Sequence, residues 1–391
     1  MAVTCDILII GGGVIGASIA HTLTQRRAGR VILLEKAYLG AGASGKSAAV
    51  IRQHFDHPLT AAMAQKGLRV FEHFDDLVGG PPVFTRTGMV LIVPERDRAG
   101  LEANLAMQRA LGIDVRLVSP QVLADIDPNA RLADDELAAY EAEAGHVEPV
   151  QVIDAFAEAA RDRGADIRLG VEVKTLVVEG GRIAGVDTNE GRYESRTLVL
   201  AAGPWSGPLA RTARLALPVQ ASRTQVALFR RPPDCARRGA IFGDFVQGIY
   251  FKPTPGDMIH AGTLAAPGRP AVDPDHYNEA AESDWLTQVR QRLGRRYPAM
   301  HCGYGRGGYG ALHAETPDGH PILGRWPGVE GAYCATGFGS HGFKMAPVVG
   351  QVMAELIVDG AAKTVDVTPL RLTRFEENEP LRTTHAYGGI G

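Results

Sequence analysis

Three glycines, Gly11, Gly13 and Gly16, stand in GxGxxG order between an apolar run, Val3 to Ile10, and a stretch, Val14 to Gln25, in which Ile15, Ile19 and Leu23 recur at helical spacing. The chemistry open to that spacing is the holding of a diphosphate. The first glycine permits a tight turn, the second lets an anion approach the backbone, and the third lets helix and strand pack closely. The helix N-terminus then offers unpaired N–H groups and the positive end of its dipole. Glu35 closes the next apolar run, Val31 to Glu35, where a carboxylate can bond ribose hydroxyls. Strand, glycine turn, helix and distal acid together point to an adenine dinucleotide. Two later stretches separate flavin from nicotinamide. Residues 42–52, GASGKSAAVIR, supply a second small-residue loop rich in donors, where a nicotinamide enzyme would continue its α/β alternation. Residues 336–345, TGFGSHGFKM, bring a further glycine turn that opens a helix. Such a helix can aim its positive end at a flavin ring, whose reduced form is anionic. Two distant glycine turns converging on one cofactor fit FAD better than NAD.

These turns need elements to hold them. The first strand, helix and second strand form a βαβ unit closed at Gly29, and an amphipathic helix is expected over Thr60 to Leu77 before Gly79, Gly80, Pro81 and Pro82 break the pattern. Thr87 to Val93 reads as a strand and Arg96 to Leu111 as a helix. A helix over Pro149 to Arg163 leads into strands at Asp166 to Leu169 and Val171 to Glu179, with hairpin turns at Gly180-Gly181 and Asn189-Glu190-Gly191. Thr197 to Ala201 is an apolar strand ending in AAGPW. Short strands alternate with Pro and Gly clusters over 219–262, and a polar helix is expected over 277–296. Ala332 to Cys334 precedes the last glycine turn, a final helix follows from Gly342 to Val358, and the polar tail after Arg374 reads as loose.

Composition bounds the reading. The 391 residues are 45% hydrophobic and 22% charged, enough core for about two domains. A formal charge of −3 supplies no basic face for nucleic acid. The 47 glycines exceed the ordinary share of about 7% and imply many tight turns. Cys5, Cys235, Cys302 and Cys334 are dispersed without metal-ligand spacing, so no metal site is expected, and a reducing cytoplasm suits them. Ile7 to Ala20 lacks the basic start of a signal peptide, and no stretch reaches the ~18 apolar residues of a membrane span.

Together, GGGVIGASIA, AAGPW, AETPDGHPILG and GFGSHGFK resemble the glycine oxidase, monomeric sarcosine oxidase and D-amino-acid oxidase family of FAD amine oxidoreductases, nearest the sarcosine oxidase branch. The combination of TPDGHPILG with GFGSHGFK carries most of the specificity. The resemblance implies an α/β, overall α+β, fold: a Rossmann-like FAD-binding domain from residues 1–80, 145–212 and 310–391, and a substrate domain from 81–144 and 213–309 whose antiparallel sheet roofs the active site. It implies that Gly11, Gly12, Gly13, Val14, Ile15 and Gly16 hold the pyrophosphate. Glu35 and Lys36 would take the adenosine end, with Ser44, Gly45 and Ser47 along the middle of FAD. Val173 would stand on the adenine side, Ala202, Gly203 and Trp205 beside the cofactor, and Gly339, Ser340, His341, Gly342, Phe343 and Lys344 along the flavin ring.

Arg52 and Lys344 stand where the sarcosine oxidase branch binds the substrate carboxylate, a role suited to a cation pair; the plainer alternative is that Arg52 pairs with a nearby acid such as Asp56 and that Lys344 is solvated. Tyr250 in GIYFKP lines the pocket or is an ordinary packed tyrosine. His54 and His57 read as structural, and His341 as a group shaping the flavin side. The branch's flavin-linking cysteine falls on Ala311, so FAD is expected to be non-covalent. Its lysine that promotes reaction with oxygen falls on His260, with Lys252 close enough in sequence for a gap to restore it. The implied activity is oxidation of a small amino acid, a secondary amine in preference, to an imine by hydride transfer to flavin. Oxygen or another acceptor would take the electrons. Two alternatives stay open, a dehydrogenase subunit passing electrons to a partner chain and a non-catalytic FAD-binding assembly protein. A nicotinamide dehydrogenase is the fourth reading.

Overall fold

The computed structural model describes residues 2–236, 239–264 and 269–382. Its central layer is a six-stranded sheet in the order Asp166–Leu169, Val31–Glu35, Ile7–Ile10, Thr197–Leu200, Ala332–Thr336 and Ile322–Arg325. Every neighbouring pair is parallel except the last. Strands of this kind are covered on both faces, and Ile7–Ile10 is buried at all four positions. Helix α1 (Val14–Gln25) has the bounds expected from its glycine turn. It is buried almost all round because α3 (Pro149–Asp162) and α4 (Gly342–Val358) pack on it. The Ser18 hydroxyl donates to the Ala346 carbonyl at 2.8 Å, and a Cβ on Gly350 would stand 2.4 Å from the same hydroxyl, so α1 and α4 meet at close to backbone distance.

Helix α2 (Pro58–Glu72) buries Thr60, Met63, Ala64, Gly67 and Phe71 on one face. It stops at His73, and Phe74–Leu77 is a separate short helix, where one continuous helix was expected. The His57 ring caps the start of α2 by accepting from the Leu59 amide at 3.1 Å.

A second large sheet of eight strands runs Tyr304–Glu315, Gln220–Arg230, Met258–Thr263, Ile249–Thr254, Ile241–Asp244, Met89–Pro94, Glu136–Glu141, Val115–Val118. The expected antiparallel roof needs one correction, because Ile241–Asp244 pairs with Met89–Pro94 in parallel. These two strands come from distant stretches, so no hairpin fixes their direction. The strand Tyr304–Glu315 runs through position 310, where a domain boundary was expected. It was not foreseen as a strand, since Gly305, Gly307, Gly308 and Gly310 dilute the pattern.

Only Ser283–Arg296 of the helix expected over 277–296 is helical. Residues 269–282 instead run along the sheet edge, bridging Ala271 to Ser222 and Ala280 to Tyr309. The tail is also better anchored than expected. Arg374 is wholly buried, with its guanidinium bonded to both carboxylate oxygens of Asp318 at 2.8 and 2.9 Å, and the Leu381 amide donates to the same carboxylate. The four cysteines are free. Among the described residues no helix is long and apolar enough to cross a membrane, and no cluster of His, Cys, Asp or Glu could hold a metal ion.

Candidate active site

The strand Ile7–Ile10 ends at Gly11, whose φ of +111° and a would-be Cβ 2.5 Å from the Ala201 carbonyl both demand glycine. A Cβ on Gly16 would fall 1.9 Å from the Gly11 carbonyl, so this helix start can close on the strand only with glycine there. Gly13 caps α1 with no side chain, no acidic residue stands in the first turn, and the Val14 amide meets Ser44 Oγ at 3.2 Å. The remaining N–H groups of that turn are left for an anion. Glu35 is held rigidly, accepting from the Gly12 amide at 2.7 Å and the Ala37 amide at 2.9 Å.

From this turn a cavity of about 700 Å³ extends to the start of α4. Gly11, Gly13, Val14, Ile15, Glu35, Lys36, Ser44, Ser47, Val173, Ala202, Gly203 and Trp205 line it, as do Gly339, Ser340, Gly342, Phe343 and Lys344 at the other end. Gly12, Gly16 and Gly45 do not line it. Gly12 packs on the stem of Glu35, and Gly45 closes a turn on the Gly40 carbonyl, so their contribution is close packing. Lys36 lies over the Trp205 ring at 4.1 Å and pairs with Asp275 at 2.5 Å, and the Trp205 indole also donates to Asp275. The residues present fit an extended dinucleotide. A Cβ on Gly13 would stand 3.0 Å from Ser44 Oγ on the cavity wall, so glycine there leaves the cradle clear, and Ser340 Oγ at the far end is buried with no hydrogen-bond partner.

Two cations from opposite ends of the chain share that far end. Arg52 follows the short strand Val50–Ile51, is 2% exposed, donates to the His54 carbonyl and lies 4.2 Å from the Phe55 ring centroid. Lys344, in the first turn of α4, donates to the Ser340 carbonyl at 2.6 Å and stands 5.9 Å from the same ring. Both line the cavity. Burial, then repulsion from Arg52, holds the Lys344 ammonium well below the ordinary lysine range, while Glu141 acts against the fall. Two buried cations that line one cavity are suited to binding a carboxylate.

Tyr250 also lines the cavity, and burial pushes its phenol above the ordinary range, so it stays neutral. His341 does not line it. Its ring stacks on Phe55 at 5.0 Å and faces His320 at 5.6 Å, and burial keeps it uncharged, so it sits behind the cavity wall. His260 is likewise off the wall, with burial pushing it down to about 3. Across the strand pair its partner is Lys252, lowered by burial to about 8, so the two side chains share a sheet face. His54 is buried and lowered to about 3, by burial and then Arg52.

Asp275, already placed on Lys36 and Trp205, and two further residues of the site carry no sequence motif. His313 lines the cavity from Tyr304–Glu315, lowered to about 3 by burial and then by Arg269 and Lys344. Tyr309, Ala311, His313 and Glu315 alternate along this strand, but Gly305, Gly307, Gly308 and Gly310 hide the alternation in the sequence. Glu141 is fully buried beside the Arg52 turn, and nothing in its spacing announces it.

The family described as DAO, FAD dependent oxidoreductase, matches residues 6–356. Peroxisomal sarcosine oxidase of Homo sapiens is 27% identical over 392 residues, covering 95% of this chain and 96% of that protein. Sarcosine oxidase subunit beta of Rhodobacter capsulatus is 23% identical over 389 residues, covering 98% and 91%. The crystal structure of L-proline dehydrogenase from P. horikoshii superposes with a TM-score of 0.89 at 25% identity, covering 97% of this chain and 100% of that one. Because the match runs from the first glycine turn through the helix that opens at the second, and one cavity joins those two turns, the chain belongs to the DAO family of FAD-dependent oxidoreductases.

Proposed function

We propose that the protein oxidises the C–N bond of a small amino acid, a secondary amine in preference, to an imine. The observation that carries this reading is the pair of buried cations, Arg52 and Lys344, on the cavity that both glycine turns line. FAD, when bound, supplies the hydride acceptor, so no side-chain nucleophile or metal is needed. The chain's own work is positioning. Arg52 and Lys344 clamp the carboxylate, which fixes the α-carbon at the Gly339–Lys344 end of the cavity. The same two charges repel an ammonium, so they favour the neutral amine whose lone pair drives hydride loss. The eight-stranded sheet roofs the site, with Tyr250 and the apolar Met89, Val226 and Ile241 excluding water.

The division into residues 1–80, 145–212 and 310–391 for the cofactor and 81–144 and 213–309 for the substrate belongs to the same proposal. FAD is held without a covalent bond. Ala311 lines the cavity at the position of the branch's linking cysteine, and no cysteine lines it among the described residues. Acid precipitation should therefore release all flavin into the supernatant. Glu35, Lys36 and Val173 bind the adenosine end, and Ser340 and Phe343 flank the ring.

A second reading, a dehydrogenase subunit that passes electrons to a partner chain, is favoured by the likeness to sarcosine oxidase subunit beta and by His260 at the position of the oxygen-promoting lysine. Lys252 beside it favours the oxidase. Anaerobic mixing of the yellow protein with N-methyl amino acids, proline derivatives and primary D-amino acids tests the main reading. Bleaching by one of them is expected, and peroxide formation on admitting air separates oxidase from dehydrogenase. No bleaching by any amine or amino acid would leave the non-catalytic assembly role standing instead.

A further inference from the structure

Glu141 ends the strand Glu136–Glu141 of the eight-stranded sheet and has no exposed surface. It reaches out of the roof to the turn that carries Arg52. One carboxylate oxygen accepts from the Gln53 amide at 2.7 Å and the Gln53 side chain at 3.3 Å, and the other accepts from the His54 amide at 3.1 Å. The Arg52 guanidinium is bonded to the His54 carbonyl. The same turn is thus gripped by Glu141 on its amide side and holds the guanidinium on its carbonyl side. A shift of the turn is a shift of the guanidinium.

Charge points the same way. Burial raises the Glu141 carboxyl to about 7, against which the Gln53 and His54 N–H groups and Arg52 favour its anion, and Glu141 in turn opposes the loss of the Lys344 proton. A wholly buried carboxylate is costly unless its lone pairs and charge are used, and here two consecutive backbone amides and a cation pair use them.

We propose that Glu141 is the positioning residue for the substrate carboxylate, bracing the Arg52 turn from the roof domain and balancing the Arg52–Lys344 pair. This rests on the reading of that pair as the carboxylate clamp. The bracing outweighs the direct repulsion between Glu141 and an incoming carboxylate, because loss of two amide anchors frees the turn, whereas the repulsion is already offset by two cations.

The test compares Glu141→Ala and Glu141→Gln holoenzymes with the parent, each alone and combined with Arg52→Gln, using an amino acid that reduces the flavin and one simple carboxylate inhibitor such as benzoate. Glu141→Ala should raise KM and the inhibition constant at least about tenfold while kcat at saturation stays within about twofold, a split that general damage to the fold would not produce. Glu141→Gln keeps one acceptor oxygen and should fall between. In the Arg52→Gln background the further loss from Glu141→Ala should shrink to about twofold or less, since the residue acts through Arg52. Unchanged or tighter carboxylate binding in both Glu141 variants, or an equal loss with and without Arg52, would overturn the proposal. An Arg52→Gln protein that binds carboxylates as the parent does would overturn the clamp itself. Should Glu141→Ala fail to fold, Glu141→Gln carries the comparison.

Discussion

An ammonium buried as deeply as that of Lys344 loses most of its hydration, and the neighbouring guanidinium adds repulsion, so its proton is weakly held until an anion arrives. In the proposed reaction a substrate carboxylate supplies that anion. Arg52 offers planar geometry with bidentate reach, whereas Lys344 offers a point charge, and the two are therefore not interchangeable. Arg52→Gln or Lys344→Met should each weaken carboxylate substrates by about 2–4 kcal/mol, on the order of a 30- to 1000-fold rise in KM, as truncating one partner of a buried charge pair does. Steady-state kinetics with a carboxylated substrate and its decarboxylated amine check this, because only the carboxylated one should suffer. Both cations were legible in the sequence because they stand inside motifs. Glu141, His313 and Asp275 were not, since their roles depend on a strand register and a chain crossing that no local pattern encodes.

At the scale of elements, helix α4 does the most positioning. Its bounds, like those of α1, could be read from the sequence because a glycine turn fixes each start. The strand Tyr304–Glu315 could not, since glycine at four of its positions removes the side chains that make alternation visible. Nor could the neighbourhood of Lys252 and His260, which follows from pairing register alone. Two glycines seat α4. A Cβ on Gly67 of α2 would fall 2.0 Å from the Lys344 carbonyl, and one on Gly350 would fall 2.4 Å from Ser18 Oγ. Gly67→Ala and Gly350→Ala should each destabilise by about 1–3 kcal/mol through overpacking, visible as a lower thermal midpoint. Only Gly67→Ala displaces the turn that carries Lys344, so only it should also raise KM. A KM effect from Gly350→Ala alone would contradict this division of labour.

For the whole molecule, the buried histidines set the response to acid. His54, His260 and His313 are lowered to about 3, and His21, His146 and His320 to about 4, in each case chiefly by burial. The unfolded chain protonates these rings near the ordinary value of about 6.5, so below that pH it binds more protons than the folded state does. Stability from this source is complete above about 6.5 and is lost as pH falls toward 4. Glu141, raised to about 7, has the opposite sign, as do Asp127 and Asp244, but the six rings outnumber these three carboxylates. Urea unfolding with FAD in excess should show a lower midpoint at pH 5 than at pH 7.5 with an unchanged slope. An equal or higher midpoint at pH 5 would mean that the rings are not neutral in the fold.

In the proposed complex one flavin lies between the two glycine turns with a carboxylate at its ring end. A crystal structure of the yellow protein with a small carboxylate inhibitor measures this directly. The expected result places the pyrophosphate at the start of α1, the isoalloxazine along Gly339–Lys344, and the inhibitor's carboxylate within hydrogen-bond distance of both Arg52 and Lys344. A ring away from the start of α4, or a carboxylate bound elsewhere with those two cations facing water, would contradict it.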